Sequence, residues 1–331
     1  MMTTKSVAKA SKAIKVGGAE CLLADTDKVK GNEKFFAHAG KVEEAEVRFT
    51  DAERAFISKI WDEGKRLYRD LPWRGISDPY AVLVSEVMLQ QTQVARVEKY
   101  WDRFLKLFPT LDALASAETS LVLEAWQGLG YNRRALALKR CAEQCAEKYQ
   151  GSLPVSYDEL LALPGIGKAT AGGVLAFAYQ KPVLYLETNV RTVFLHEFFP
   201  DKEGVPDHEL EPLVEKTCSK DNPRGWYYAL LDYGAYLKSI LPNPSRRSRH
   251  HVQQSKFEGS RRQKRAELVR VVLAQQEITF SDACAALNEF EQAHGRGEVD
   301  PGLIHSILDD LVREGFFKVH GAGKDTVYCA S

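Results

Sequence analysis

Residues 163–171 read LPGIGKATA and lie between two segments that predict helices. Gly165 and Gly167 permit a tight turn with positive backbone angles and a close approach to another backbone. The helix after the turn begins with free backbone N–H groups and the positive end of its dipole, and Lys168 adds charge there, which suits a phosphate. Such a contact positions a nucleic-acid backbone without reading a base. The alternative is a helix–turn–helix corner whose glycines serve packing alone.

Around this turn, residues 50 to 240 predict an almost entirely helical domain without an alternating strand pattern. Asp51 is expected to cap the first helix, and Asp78 followed by Pro79 is expected to begin the second. The predicted helices cover residues 51–69, 78–90, 92–109, 118–127, 131–149, 156–162, 168–178, 188–199, 207–219 and 223–240. The predicted fold class is therefore mainly α.

The composition of the 331-residue chain is that of an ordinary soluble protein of two domains, with 44% hydrophobic and 27% charged residues. Because 45 Lys and Arg residues balance 45 Asp and Glu residues, a globally basic nucleic-acid binder is excluded, and any such surface must be local. No apolar run approaches the ~18 residues of a membrane span. Residues 1–18 lack the apolar core of a signal peptide, so a cytoplasmic protein is expected.

Two glutamates interrupt strongly apolar stretches. Glu86 lies in YAVLVSEVMLQQ (80–91), and Glu187 lies in PVLYLETNVRTVFL (182–195). A buried carboxyl group is either paired or has a raised pKa, and a raised pKa makes a proton donor at neutral pH. One acid and one ionised carboxylate, which Asn189 could hydrogen-bond, suit a reaction through an oxocarbenium-like sugar. The alternative for each glutamate is a buried residue satisfied by an arginine or a helix N-terminus.

Two segments are candidates to fill the gap that a flipped nucleotide leaves in a base stack. QQT (90–92) ends the helix of Glu86, and GLGYNRR (128–134) places a glycine-framed aromatic residue before two arginines. A helix N-terminus with a core tyrosine is the alternative for the second segment. The residues expected to contact nucleic acid in these segments and at the glycine turn are Gln90, Gln91, Thr92, Leu129, Tyr131, Arg133, Arg134, Gly165, Gly167, Lys168 and Thr170.

The chain beyond residue 242 changes in character. Residues 243–265 carry eight Lys and Arg residues against one acid, and Arg246, Arg247 and Arg249 of this basic linker are expected to contact a nucleic-acid backbone. Residues 260–331 predict three helices and then two short strands around a glycine-rich turn, which is the winged-helix order. From residue 266 onward eleven acids outnumber five Lys and Arg residues. This segment is therefore either a second DNA reader or a module that binds a protein partner.

The motifs LPWRGISDPYAVLVSEVMLQQTQV, WQGLGYNRR, LPGIGKATAGGVL and LETNVRTV resemble, in order and spacing, those of MutY-type adenine DNA glycosylases. These belong to the helix-hairpin-helix superfamily with endonuclease III. The resemblance covers about residues 53–240. It implies a two-lobed helix-hairpin-helix glycosylase fold acting as a nucleoid-associated monomer on double-stranded DNA that contains a mispaired or damaged base. The expected domains are a loosely ordered extension (1–46), the glycosylase (47–242), the basic linker (243–259) and the winged-helix-like domain (260–331).

The resemblance also implies residue roles. Glu86 resembles the general acid that protonates the leaving purine at N7, Glu187 stands at the position of the catalytic aspartate, and Asn189 matches the asparagine that supports it. The wedge and the phosphate-binding hairpin are matched by Gln91, Tyr131, Gly165, Gly167 and Lys168.

The sequence departs from this family in four ways. Glu187 has one methylene more than the family's aspartate, and a displacement of about an ångström can cost on the order of a hundredfold in rate. Ala169 replaces the Schiff-base lysine of bifunctional relatives, so no strong AP lyase activity is expected. The four-cysteine motif of the iron–sulfur cluster is absent after Leu241, so neither a cluster nor another metal site is expected. The family's Nudix-like domain is replaced by the winged-helix-like tail.

The leading expectation is a monofunctional DNA glycosylase of base excision repair that hydrolyses the N-glycosidic bond of adenine, or a related purine, in a mispair. An enzyme of the same class acting on uracil, thymine or an alkylated purine is one alternative. A non-catalytic DNA-binding or regulatory protein on the same fold is the other.

Overall fold

The computed structural model describes residues 49–321 and 326–331, and these residues are mainly helical, which confirms the predicted fold class. The extension predicted for residues 1–46 lies outside the described residues. Among the helices described, none is long and apolar enough to cross a membrane. The helices of the first domain are α1 (Asp51–Leu67), α2 (Pro79–Leu89), α3 (Val94–Leu107), α4 (Leu111–Ser116), α5 (Thr119–Trp126), α6 (Arg133–Lys148), α7 (Tyr157–Leu161), α8 (Lys168–Phe177), α9 (Thr188–Phe198), α10 (Asp207–Thr217) and α11 (Pro223–Ile240).

Capping side chains set the starts of the first two helices. Thr50, and not Asp51 as predicted, is the N-cap of α1, because its hydroxyl accepts a hydrogen bond from the N–H of Glu53 at 3.2 Å. The Glu53 carboxylate accepts one in return from the N–H of Thr50 at 2.7 Å, which completes a capping box. Asp78 caps α2 as predicted, accepting from the N–H of Tyr80 at 3.0 Å.

The core of the first domain joins distant parts of the chain. Phe56 of α1 contacts Phe194 of α9, with ring centroids 5.1 Å apart, and lies 6.1 Å from Trp226 of α11. Trp61 of α1 also meets Trp226, at 5.5 Å, and Trp226 is fully buried. Aromatic pairs of this kind stabilise the fold by more than the burial of their apolar area alone. They pack α9, which follows Glu187, together with α1 and α11, the first and last helices of the domain.

The first part of the predicted basic linker is built into this domain. Residues Pro244–Arg247 form a 3₁₀ helix against α9, and Ser248 forms an isolated parallel bridge with Val205. The N–H of Arg249 donates to the carbonyl of Val205 at 2.9 Å. Within the predicted linker, residues 251–257 are exposed and have no regular structure. The exposed part of the connection is therefore shorter than the 243–259 expected from the sequence.

The C-terminal module contains α12 (Arg261–Gln275), α13 (Phe280–Ala293) and α14 (Pro301–Arg313) with three strands, β1 (Glu277–Thr279), β2 (Phe317–His320) and β3 (Val327–Ala330). The strands form an antiparallel sheet in the order β1-β3-β2, in which Tyr328 pairs with Ile278 on one side and Val319 on the other. The sequence did not indicate β1, because three residues are too few to display an alternating pattern. The order of the other elements is the predicted one, and the name winged helix stays a prediction.

Candidate active site

A cavity of about 550 Å³ lies between α2, α8 and the start of α9. Both glutamates singled out from the sequence line it, together with Asn189. Its floor and walls come from segments that are far apart in the chain, as expected for a pocket that binds a flipped base. The other lining residues include Arg69, Trp73, Arg74, Gln90, Ala169, Thr170, Tyr185 and Tyr228.

Glu86 lies on the cavity face of α2, a helix that is buried on nearly all sides, as predicted. Burial, together with the negative charge of Glu187, raises the pKa of Glu86 to about 8, although a hydrogen bond from Tyr185 acts in the opposite direction. The Tyr185 hydroxyl donates to Oε2 of Glu86 at 3.2 Å. A carboxyl group with this pKa is protonated at neutral pH and can act as an acid.

A glycine of α8 makes room for this carboxyl group. A Cβ atom at position 173 would overlap Oε2 of Glu86, so no residue larger than Gly173 fits without displacing the acid. Tyr185, which the sequence analysis missed, closes the other side and is buried. It lies two residues before Glu187 in the same extended segment, where alternate side chains point the same way, and that spacing is the signal that could have indicated it.

Glu187 is the N-cap of α9. Its Oε1 atom accepts hydrogen bonds from the N–H groups of Asn189 at 2.5 Å and Val190 at 3.1 Å. Burial raises the pKa of Glu187, while the charges of Lys238 and Arg191 and the two backbone hydrogen bonds oppose the rise. The longer side chain thus still reaches the helix N-terminus, whose dipole favours a carboxylate. Lys238 was not singled out from the sequence, since nothing local marks its approach to Glu187.

Asn189 supports Glu187 differently from the sequence-based expectation. The hydrogen bond comes from its backbone N–H and not from its side-chain amide. Within residues 49–321 and 326–331, its Oδ1 atom is buried without a hydrogen-bond partner. A buried acceptor without a partner is costly, and such atoms are satisfied by water or a bound molecule. Asn189 therefore offers an acceptor at the wall of the cavity.

The glycine turn has the predicted form at one of its two glycines. Gly165 has a φ of +75°, and a Cβ atom there would lie 2.6 Å from Cβ of Ala137, so both the turn and the packing require glycine. Gly167 has an ordinary negative φ of −95° and is the N-cap of α8 without a side-chain cap. Nothing lies within 4 Å of the position that its Cβ would take. The N-terminus of α8, with Lys168 as its first residue, is thus open to an anion.

The wedge residues Gln91 and Tyr131 both have left-handed backbone conformations, with φ values of 55° and 50°. Both are exposed. Such conformations cost free energy in residues other than glycine and are enriched at functional sites. The two residues lie in separate loops, and Gln91 lines the cavity together with Gln90.

Arg134 holds these two loops together. Its guanidinium binds backbone carbonyl groups and not, as expected from the sequence, a phosphate. Its guanidinium donates to the carbonyl oxygens of Val87, Met88 and Gln90 at 2.6–2.9 Å, where α2 ends. It also donates to the carbonyl of Gly130 at 2.9 Å in the second loop. Desolvation lowers its pKa to about 10.

Four other residues expected to contact DNA have internal partners. Leu129 is buried in the core, and Thr170 is buried and accepts a hydrogen bond from the amide of Gln90 at 3.0 Å. Thr92 donates to the Leu129 carbonyl at 3.3 Å and accepts from Arg134 at 3.0 Å. The polar side chains of Gln90, Thr92 and Thr170 therefore form hydrogen bonds inside the protein, and these bonds position the loops.

The other arginines expected to contact DNA fall into two groups, those with partners inside the protein and those that are exposed. Arg133 forms an ion pair with Glu314 of the C-terminal module, with Nε 2.6 Å from Oε2. Arg247 donates to the carbonyl oxygens of Leu195 and Phe199 at 3.1 and 2.8 Å, which ties the 3₁₀ helix to the end of α9. Arg246 and Arg249 are exposed, as a contact with a DNA backbone requires.

Comparison with known proteins shows what this part of the chain resembles. Residues 84–220 match the model of the HhH-GPD superfamily base excision DNA repair proteins. The chain is 35% identical over 180 residues to the adenine DNA glycosylase of Buchnera aphidicola subsp. Baizongia pistaciae, covering 53% of this chain and 50% of the relative. It is 50% identical over 127 residues to the adenine DNA glycosylase of Mycolicibacterium smegmatis, covering 38% and 43%.

Among solved structures, a thermostable thymine-DNA glycosylase is similar with a TM-score of 0.50 and 26% identity, over 56% of this chain and 86% of that one. The chain spans about half the length, or less, of the curated relatives that it matches. Both glutamates and both wedge loops lie inside the matched segment. Residues 84–220 are thus similar to the HhH-GPD superfamily of base excision DNA repair proteins.

Proposed function

We propose that this protein is a monofunctional DNA glycosylase that removes adenine, or a related purine, from a mispair in double-stranded DNA. The observation that carries the proposal is the pair of acids in one cavity, of which Glu86 holds a proton at neutral pH and Glu187 caps a helix. Two neighbouring carboxyl groups whose environments differ divide the roles of acid and base. The names of the curated relatives support adenine as the base.

The reaction follows from these positions. Glu86 gives its proton to the base as the bond between the base nitrogen and C1′ of the sugar breaks. The electron pair of that bond leaves with the base, and the positive charge on the sugar is stabilised by the Glu187 carboxylate. A water molecule adds to C1′ and loses its proton to Glu187. Glu187 then releases this proton to solvent, and a solvent proton restores Glu86 after the base departs.

The absence of a lysine at position 169 supports a monofunctional enzyme. Ala169 lines the cavity, and an alanine cannot form a Schiff base with the sugar. Borohydride should therefore trap no covalent complex with DNA that contains an abasic site. A trapped complex would overturn this part of the proposal.

The residues after α11 do not fit an iron–sulfur cluster. No cysteine lies between Cys218 and Cys284, whereas the four-cysteine cluster motif needs closely spaced thiolates there. The 3₁₀ helix Pro244–Arg247 packs against α9 through the contacts of Arg247 instead. We propose that this packing takes over the structural role of a cluster loop. The iron content and visible absorbance of the purified protein test this, and stoichiometric iron would contradict it.

The decisive experiment is single-turnover base release from a panel of duplexes, followed by alkaline cleavage of abasic sites. The panel holds adenine opposite 8-oxoguanine and opposite guanine, uracil or thymine opposite guanine, hypoxanthine opposite thymine, and alkylated purines. Release of adenine supports the proposal. Release of thymine alone would favour the second candidate, the activity in the name of the similar solved structure. Binding without release of any base would favour a non-catalytic protein.

A further inference from the structure

The C-terminal module and the linker before it touch both wedge residues. The side-chain amide of Gln254 donates to Oε1 of Gln91 at 3.3 Å. The guanidinium of Arg262, in the first turn of α12, donates to the hydroxyl of Tyr131 at 3.0 Å. These contacts join residues that are more than a hundred positions apart, and neither was predicted from the sequence. They place the module at the edge of the surface where the wedge stands.

Positive charge is concentrated at this junction. The carboxylate of Glu314 is bound by Arg133 and Arg265, and the backbone carbonyl of Glu314 accepts from Arg140 at 2.6 Å. Two guanidinium groups thus bind the Glu314 carboxylate and a third binds the backbone of the same residue, so three arginines meet at this junction. The side chain of Arg133 is 70% exposed despite its ion pair.

Arg262 adds a further cation without a neutralising acid. Its hydrogen bonds run to Tyr131 and to the backbone and side chain of Ser255, and among the described residues no carboxylate lies within ion-pair distance. Its guanidinium also lies 5.9 Å from the ring centroid of Phe257. Hydrogen bonds thus hold the Arg262 guanidinium in place while no acidic side chain pairs with it, so it can bind an anion such as a phosphate.

Two aspartates of α14 have partners other than Arg262. Asp310 accepts from Arg261 at 2.6 Å and is bound by Arg313, and Asp309 lies 3.6 Å from His305 on the same helix. Asp310, the nearer of these acids to α12, is therefore already bound by two arginines.

We propose that Arg262, which contacts Tyr131, and Arg133, which follows Tyr131 by two residues, bind the phosphate backbone of DNA next to the wedge, so that the C-terminal module is part of the DNA-binding surface. The inference rests on the proposed function, because a wedge that enters a duplex brings every group hydrogen-bonded to it within reach of that duplex. Guanidinium groups bind phosphate oxygens with two parallel hydrogen bonds. The partner of this surface is thus the DNA backbone and not a protein.

The test measures binding rather than chemistry, so it is informative even if no base is released. The probe is a duplex with a tetrahydrofuran abasic analogue, and its affinity for the full-length protein is measured by fluorescence anisotropy over a series of salt concentrations. Arg262→Gln should weaken binding and reduce the slope of log K against log salt by about 0.9, the value for one lost phosphate contact. Arg133→Gln should do the same.

Two further variants separate a phosphate contact from a structural one. Arg262→Lys keeps the charge and should retain the wild-type slope. Arg270→Gln removes an exposed arginine of the same helix, paired with Glu267, and should leave both affinity and slope unchanged. If Arg262→Gln and Arg262→Lys lowered affinity equally at an unchanged slope, Arg262 would only hold the linker, and the proposal would be wrong. An Arg262→Gln variant indistinguishable from wild type would equally overturn it.

Discussion

Tyr185 and Glu86 share a hydrogen bond of 3.2 Å inside the cavity, with the phenol donating to Oε2 of the carboxyl group. The bond favours the ionised form of Glu86, yet burial and the charge of Glu187 outweigh it and raise the pKa to about 8. The tyrosine therefore orients the acid and moderates its pKa. Because Tyr185 and Glu187 act on the Glu86 pKa in opposite directions, a substitution of either residue should shift the pH dependence of the reaction.

The first prediction concerns the dependence of base release on pH. Because Glu86 must be protonated and Glu187 ionised, the single-turnover rate should fall about tenfold per pH unit above the Glu86 pKa of about 8, and it should also fall at acidic pH where Glu187 becomes protonated. Tyr185→Phe removes a contact that favours the carboxylate, so the falling limb should move to higher pH. A limb that moved to lower pH, or a rate that rose above pH 8, would contradict Glu86 as the acid.

The second prediction concerns Glu86→Gln. This variant should bind the abasic-analogue duplex nearly as wild type does but release no base, because the lost proton serves the transition state. Stability gives an independent check. The pKa of Glu86 is raised from 4.5 to about 8 on folding, so its contribution to the free energy of unfolding is full below pH 4.5 and is lost as pH rises through 8. Urea unfolding of the variant should lack this decline.

The third prediction concerns Glu187→Asp. Aspartate is a good N-cap, so the stability of α9 should be preserved, whereas Glu187→Ala should cost about 1 kcal/mol. The shorter carboxylate withdraws by about an ångström from a cavity shaped around glutamate, so the rate of base release should fall on the order of a hundredfold. A faster rate on adenine mispairs would mean that the cavity suits aspartate better.

The fourth prediction compares two neighbouring arginines. Arg134→Ala leaves several buried carbonyl groups without a donor and should lower the free energy of unfolding by about 3 kcal/mol or more. Arg133→Ala removes a largely exposed arginine from Glu314, which keeps its ion pair with Arg265, and should cost about 1 kcal/mol or less. Urea unfolding of both variants measures the difference. Equal losses would show that Arg134 does not hold the wedge loops together.

The fifth prediction separates the arginines of the linker. Arg246→Gln combined with Arg249→Gln should reduce the salt slope of DNA binding by about 1.8, because both side chains are exposed. Arg247→Gln should instead lower the melting temperature at an unchanged slope, since its partners are the carbonyls of Leu195 and Phe199. A reduced slope for Arg247→Gln would place it on the DNA surface after all.

Much of the fold was determined by local signals in the sequence. The helix boundaries of the first domain follow apolar spacing and capping residues, as Asp78 does for α2. The turn at Gly165 was predictable because glycine readily adopts the positive backbone angle that a tight turn requires, whereas its contact with Ala137 was visible only in the structure. Glu86 stood out because an acid within an apolar helix requires an explanation, whatever that helix packs against.

The tertiary structure alone decided which polar groups remain available. Arg133 and Arg134 are the first two residues of α6. The side chain of Arg133 is largely exposed, whereas Arg134 donates hydrogen bonds to carbonyl groups of α2. Tyr185 meets Glu86 across 99 positions of the chain, and Arg262 meets Tyr131 across 131. Periodicity and capping act over a few residues, whereas the partner of a side chain, and hence its charge and exposure, depends on segments that only folding brings together.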